Sequence, residues 1–228
     1  MFNNKKGPKR TPKGEETRRR ALAAALTLFR RKGFDATTMR DIARQAGLSL
    51  GAAYHYFPSK DALVMAYYGW LQDEHERRVR EETPEGADLG TRMRVLLRTK
   101  LDLLADDRKI LAALFGNLGD PAHPLSVFSR QTARIRQRSI ALFEAAFQGM
   151  PGLEKSLGLL AWLFHLALIL LFLHDRSRGQ ARSRELADEM AAMSAGALPM
   201  LALPFAAPAI ARFMELARGM GLSGKGES

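Results

Sequence analysis

Thr38-Met39-Arg40-Asp41-Ile42-Ala43-Arg44-Gln45-Ala46-Gly47-Leu48-Ser49-Leu50-Gly51-Ala52-Ala53-Tyr54-His55-Tyr56-Phe57 is the stretch on which the fold turns. Thr38 can cap a helix, with Asp41 three residues on as a short variant of the capping box. Ile42, Ala43 and Ala46 give that helix a small apolar face. It ends after about two turns at Gly47, a residue suited to the left-handed position that follows a helix. Ser49 can cap the next helix, which runs to about Phe57. Pro58 stops it, because proline has no N–H and restricts the residue before it.

Upstream, Leu22, Leu26 and Phe29 recur at i, i+4 and i+7, with Ala23, Ala25 and Leu28 alongside. This predicts a helix from about Glu15 to Gly33, with Arg30-Arg31-Lys32 suiting the negative end of its dipole. Ser59 caps a fourth helix that continues to about Glu82. Three short helices over 15–57, with a tight glycine turn between the second and third, are a helix-turn-helix with a supporting helix.

The charge supports that reading. The 228 residues carry a net charge of +11, and 14 Lys/Arg against five acids fall within residues 1–65, leaving the rest nearly neutral. A polyanion-binding head on a neutral body follows. Residues 1–14 read as a disordered basic arm, 15–65 as the DNA-binding domain and 66–228 as a separate helical domain. The absence of cysteine excludes disulfides, thiolate metal sites and thiol catalysis. The first 20 residues hold no apolar signal-peptide segment, so a cytoplasmic location is expected.

Later helices are expected over 89–105, 107–118, 124–148, 153–175, 183–198 and 205–219, separated by Gly/Pro breaks. No alternating β-branched run appears. The fold class is all-α, with about nine or ten helices.

A helix that enters a groove about 12 Å wide needs small residues at its tip and polar groups that reach phosphates. Gly51 and Ala52 permit close approach, and Ser49, Tyr54, His55 and Tyr56 supply donors. Lys60 can pair with a phosphate, and Arg40 suits a bidentate guanine contact. Ala53 and Phe57 read as the inner face. His55 fits either DNA contact or packing. The expected DNA-binding set is Thr38, Met39, Arg40, Ser49, Leu50, Gly51, Ala52, Tyr54, His55, Tyr56 and Lys60.

Two short motifs fail on context. Gly47-Leu48-Ser49-Leu50-Gly51 matches the G-x-S-x-G elbow, but a helix precedes it where the chemistry needs a strand. Gly219-Met220-Gly221-Leu222-Ser223-Gly224 matches G-x-G-x-x-G without a preceding strand. The five histidines show no metal-ligand spacing. No enzyme, metal site or cofactor is expected.

Over residues 17–65 the chain resembles the DNA-binding domain of the TetR family of transcriptional regulators. The resemblance rests on Thr38, Arg40-Asp41-Ile42-Ala43, Ala46-Gly47-Leu48-Ser49, Gly51, Tyr54-His55-Tyr56-Phe57, Ser59-Lys60-Asp61 and Leu63, all in register. It implies a homodimer on a pseudo-palindromic operator, with half-sites roughly 34–36 Å apart. It alone implies that 66–228 is a ligand-binding and dimerisation domain, with a small-molecule effector that releases DNA, hence a repressor. By the same resemblance Thr38, Tyr54, Tyr56 and Lys60 match phosphate contacts and Arg40 a base contact. Leu50 and Ala52 depart from the polar readers common at those positions, which shifts base reading to thymine methyls, Arg40 and His55.

Residues 156–174, SLGLLAWLFHLALILLFLH, carry no acid, lysine or arginine. At 1.5 Å per residue they span roughly 28 Å, near a bilayer core, so a membrane-tethered regulator is an alternative. Arginines 176, 178, 182 and 184 and mid-span His165 favour a buried helix instead. That helix and 183–198 would form a four-helix dimer interface. Met93, Leu97, Leu101, Phe115, Phe128, Phe143 and Phe147 are the expected lining of an apolar effector pocket, with Trp162 and His165 as polar handles.

Overall fold

The computed structural model describes residues 11–115, 120, 122–150 and 152–196, and beyond them 208, 211–213, 215 and 216. Among the described residues all regular structure is helical, and the chain divides into two compact units, Met1–Tyr67 and Tyr68–Ser228.

The first unit holds α1 (Pro12–Lys32), α2 (Met39–Ala46), α3 (Leu50–Tyr56) and the opening turns of α4 (Lys60–Glu82). α1 starts at Pro12, three residues before the expected start at Glu15 and well ahead of the first apolar repeat at Leu22. Its start is set by capping: the Thr11 hydroxyl accepts from the Gly14 N–H, and Pro12 occupies a first-turn position where no donor is needed. That turn is exposed, so no apolar residue marks it.

The capping box at α2 is complete: Asp41 N–H donates to Thr38 Oγ1, and Thr38 N–H donates to Asp41 Oδ2. Gly47 takes φ 64°, ψ 41°. Its N–H donates to Arg44 O while Leu48 N–H donates to Ala43 O, the paired closure of a Schellman motif. Arg20 adds a guanidinium N–H to Ala46 O at 2.5 Å. Ser49 caps α3 and Ser59 caps α4. Leu28, Phe29, Met39, Ile42, Ala53, Phe57 and Leu63 form the core of this unit.

The second unit contains the rest of α4, then α5 (Leu89–Leu104), α6 (Arg108–Phe115), α7 (Ala133–Ala146), α8 (Glu154–His174) and α9 (Ala181–Gly196). α5 packs along α9, and α7 along α8. Arg98 grips Asp188 with two N–H groups at 3.0 and 2.5 Å, fastening α5 to α9. Arg108 donates to the carbonyls of Phe172 and Leu173 and to that of Asp175, placing a cation on the negative end of α8.

The helix expected over 124–148 begins only at Ala133. Residues 122–132 form successive turns, because serine and threonine hydroxyls compete for the backbone. Ser129 Oγ donates to Pro124 O, Thr132 Oγ1 donates to Ser126 O, and Arg136 reaches back to Val127 O. Similarly, α6 ends at Phe115, and residues 116–119 lie outside the described residues, as does most of the helix expected over 205–219 and the glycine motif at 219–224.

α8 is long and apolar enough to cross a membrane by length and composition, yet just over half of its most apolar window is buried inside the unit. Leu157, Leu159, Trp162, His165, Leu168, Ile169, Phe172 and Leu173 face inward. Its outer stripe, with Phe164, Ala167 and Leu171, is exposed.

Candidate nucleic-acid interface and internal cavity

α3 presents one buried and one open face. Ala53 and Phe57 are sealed in the core, and the Arg18 guanidinium stacks 4.9 Å above the Phe57 ring. Ser49, Leu50, Gly51, Tyr54 and His55 are exposed, with Tyr54 at 48%, while Ala52 and Tyr56 are half-buried. The His55 ring stands edge-on to Tyr56 at 5.2 Å. The Tyr56 hydroxyl reaches the first turn of α1, where a β-carbon on Gly14 would lie 3.7 Å from it. A phenol donor thus sits beside a helix N-terminus, whose free N–H groups favour an anion.

Thr38 and Arg40 are exposed in the first turn of α2. Thr38 Oγ1 donates to Asp41 Oδ2 at 2.8 Å, and Lys32 Nζ donates to the same oxygen at 2.6 Å. Lys32 and the two Thr38 donors hold the Asp41 carboxyl well below the usual carboxylate range. The turn is therefore pinned, and Arg40 projects from a fixed base.

Two residues of the expected DNA-binding set sit differently from the rest. Met39 is buried, because its side chain completes the apolar face of Ile42, Ala43 and Ala46. Lys60 is half-buried and engaged within the unit. Its ammonium donates to Phe34 O at 2.8 Å and Asp35 O at 3.4 Å and lies 4.3 Å from the Phe34 ring centre. It closes the α1–α2 turn from the start of α4.

The second unit holds a cavity of about 110 Å³ bounded by residues of α4 to α8. Trp162 and His165, the two expected polar handles, are among the residues that line it. The other expected pocket residues do not. Met93, Leu97, Leu101, Phe143 and Phe147 are buried core residues that do not line it. Phe128 stands edge-on to Trp162 at 6.4 Å without lining the cavity, and the Phe115 side chain lies outside the described residues. The residues that sequence reasoning missed are Lys100, Arg136, Gln72 and Tyr68, all of which line it.

A charged, capped, three-helix head with an open reading helix defines a helix-turn-helix DNA-binding protein. The profile described as "Bacterial regulatory proteins, tetR family" matches residues 21–67. Over those residues the chain is similar to the DNA-binding domain of that family. It is 33% identical over 119 residues to the HTH-type transcriptional dual regulator CecR of Shigella flexneri, covering 47% of this chain and 53% of CecR. It thus spans about half the length of the curated relatives it matches; they are regulators of transcription, not enzymes. The TetR transcriptional regulator of Nitrosomonas europaea shares the fold at TM-score 0.65 and 19% identity, over 79% of this chain and 98% of that one. Thermus thermophilus FadR, a TetR-family repressor in complex with lauroyl-CoA, does so at TM-score 0.57 and 24% identity, over 76% and 92% of the two chains.

Proposed function

We propose that the chain is a homodimeric, sequence-specific DNA-binding repressor of transcription, acting in the cytoplasm and released from a pseudo-palindromic operator by a small molecule. The observation that carries this reading is the exposed α3 face, Ser49 to His55, on a helix locked from below by Ala53 and Phe57. An α-helix about 10–12 Å across fits a major groove about 12 Å wide. Arg40 and His55 read base edges, Leu50 and Ala52 meet thymine methyls, and Thr38, Tyr54, Tyr56 and Lys60 stand at phosphates. Ser49 and Gly51 let the helix tip approach closely.

Dimerisation is supported by the apolar surface of the second unit. Phe164, Leu170 and Leu171 on α8 and Leu186 and Met193 on α9 are exposed, with Met193 at 70%. A second copy of the same two helices is the occupant that a two-fold operator requires. Release by a ligand is supported by the cavity, which touches α4 at Tyr68, Leu71 and Gln72, while Lys60–Tyr67 of the same helix belong to the head. The complex of FadR with lauroyl-CoA is a precedent for a ligand on this fold.

Selecting duplexes from a random pool at fixed salt tests the reading. The expected result is an enriched inverted repeat with half-sites about one helical turn apart. Recovery of no preferred sequence by the full-length protein would overturn it.

A further inference from the structure

We propose that the cavity of the second unit takes a small apolar carboxylate, a single-ring or short-chain acid, with its negative charge on Lys100 and its body against Leu111, Trp162 and Ile169. This deepens the reading of a ligand-released repressor and rests on it for the link to DNA.

Lys100 lies on α5 among Leu96, Leu97, Leu101 and Leu104, all buried, and is itself 93% buried. It nevertheless lines the cavity, and no described residue accepts a hydrogen bond from its ammonium. Glu76 is the acid near enough to act on it, but that carboxylate is already engaged: one oxygen accepts from Gln72 Nε2 and the other from Arg138. No acid lines the cavity, whereas a second cation, Arg136, does. A buried ammonium with no hydrogen-bonded acceptor and only a shared, already engaged carboxylate nearby is costly, so an anion entering here gains strongly.

His165 completes the site. It is 98% buried and neither ring nitrogen has a hydrogen-bond partner. The Trp162 carbonyl one turn back pulls on the ring without reaching bonding geometry. Burial and the Lys100 charge hold His165 well below the usual imidazole range, so it is neutral and carries one N–H to donate. Phe143 fixes the ring from behind at 5.0 Å. One ammonium and one imidazole N–H match the two oxygens of a carboxylate.

The rest of the wall selects the body. Leu71, Leu104, Leu111, Val127, Ile135 and Ile169 make it predominantly apolar. Its volume of about 110 Å³ is of the order of the ~150 Å³ engineered cavity that admits benzene. A phosphate, doubly charged and strongly hydrated, has no use for such a wall, and a long acyl chain exceeds it.

Titration calorimetry of the full-length protein with benzoate, and with neutral benzamide as the isosteric control, tests the assignment. Benzoate is expected to bind at least tenfold more tightly than benzamide. Lys100→Met should lower benzoate affinity at least tenfold and leave benzamide unchanged. His165→Phe, which keeps the ring and removes the donor, should lower benzoate affinity severalfold. If benzoate binds no better than benzamide, or equally well to Lys100→Met, the assignment fails. Should Lys100→Met not fold, Lys100→Arg serves: loss of the benzoate preference there with the charge kept overturns the ammonium's role. Because calorimetry reads the cavity without DNA, failure here leaves operator selection standing. Carboxylate binding that does not alter operator affinity keeps the site and overturns only its role in release.

Discussion

Gly158 of α8 lies so close to Glu144 of α7 that a β-carbon at position 158 would stand 2.7 Å from the Glu144 backbone nitrogen and Cα. The absent side chain lets the two helices meet nearly backbone to backbone, and it sets the depth at which Trp162 and His165, one and two turns on, enter the unit. Gly158→Ala must push α7 and α8 apart. Although alanine gains up to about 1 kcal/mol of helix propensity, overpacking of this kind costs about 1–3 kcal/mol. The expected net result is a lower melting temperature. Gly69→Ala in α4 is the opposite case, because nothing lies within 4 Å of its added carbon. That variant should melt higher, by up to about 1 kcal/mol. Thermal unfolding of the two variants side by side checks the sign of each.

Arg40 projects from a turn held by the Thr38–Asp41 box and the Lys32 bridge. If it reads a guanine, Arg40→Ala costs about 1–3 kcal/mol on the selected operator and relaxes preference at one base pair. Binding titrations on the operator and on its single-base variants measure both effects. Equal affinity of parent and variant across the set would remove Arg40 from the reading surface.

Lys60 carries two roles that one substitution separates. Its bonds to Phe34 O and Asp35 O predict that Lys60→Ala lowers the unfolding free energy by about 1–2 kcal/mol. A phosphate contact adds a second effect: the slope of log affinity against log salt falls by about one unit. Denaturant unfolding reads the first and a salt series the second. A stability loss with an unchanged slope would show that the ammonium acts only within the protein.

The head of the molecule was legible because its signals are local. Thr38, Gly47, Ser49, Pro58 and Ser59 each act through a hydrogen bond or backbone angle a few residues away, so spacing alone places α2, α3 and the start of α4. The outer faces of α3 followed from the same periodicity. Met39 stood in the expected DNA-binding set, yet its side chain is buried, because the fate of a first-turn side chain is decided by how α2 meets α1. In the second unit the decisive events are long-range. Most of the large apolar residues expected around the pocket are packed core, since an apolar residue looks the same in sequence whether it faces a neighbour or a void. The informative signal was the reverse: Lys100 falls on the buried face with Leu96, Leu97, Leu101 and Leu104, where a lysine is out of place. The turns over 122–132 were missed because Ser126, Ser129 and Thr132 redirect the backbone only once they bond each other.

Lys100 also predicts an unusual dependence of stability on pH. Burial pushes its ammonium down to about 8 from an ordinary 10.5, against the pull of Glu76. The groups facing it are His75 and Glu76 on α4, Arg136 on α7 and His165 on α8, and both histidines are neutral because burial holds them far below the usual range. Below pH 8 the folded and unfolded states both carry the Lys100 proton, and the folded state bears the full desolvation penalty. Between about 8 and 10.5 the unfolded state holds more protons, so stability contributed by this group rises with pH. Lys100→Met should therefore be more stable than the parent by up to about 3 kcal/mol at pH 7. That advantage shrinks as pH passes from 8 to 10.5. Urea unfolding of both proteins at pH 7, 9 and 10.5 measures the difference, and a constant gap would mean that Lys100 is not the titrating group.

The apolar stripe on α8 gives the last test. Leu160, Phe164, Ala167 and Leu171 recur at four- and three-residue steps along one side of a helix whose opposite side is core. Phe164 is 63% exposed and Leu171 55%. Side chains of this size left in water lose roughly 1.5–3 kcal/mol each that burial would return, and Leu186, Met190 and Met193 on α9 offer a matching row of the same spacing. In the proposed homodimer a second copy would bring the two rows together about a two-fold axis. Phe164→Glu with Leu171→Glu would set like charges against their symmetry mates in a dry interface, while disturbing no residue of the buried face. Sedimentation velocity at micromolar concentration should show a dimer for the parent and a folded monomer for the double variant. The monomer, holding a single reading helix, should bind one half-site weakly and lose the steep preference for the inverted repeat. A parent protein that sediments only as a monomer would require another occupant for this face.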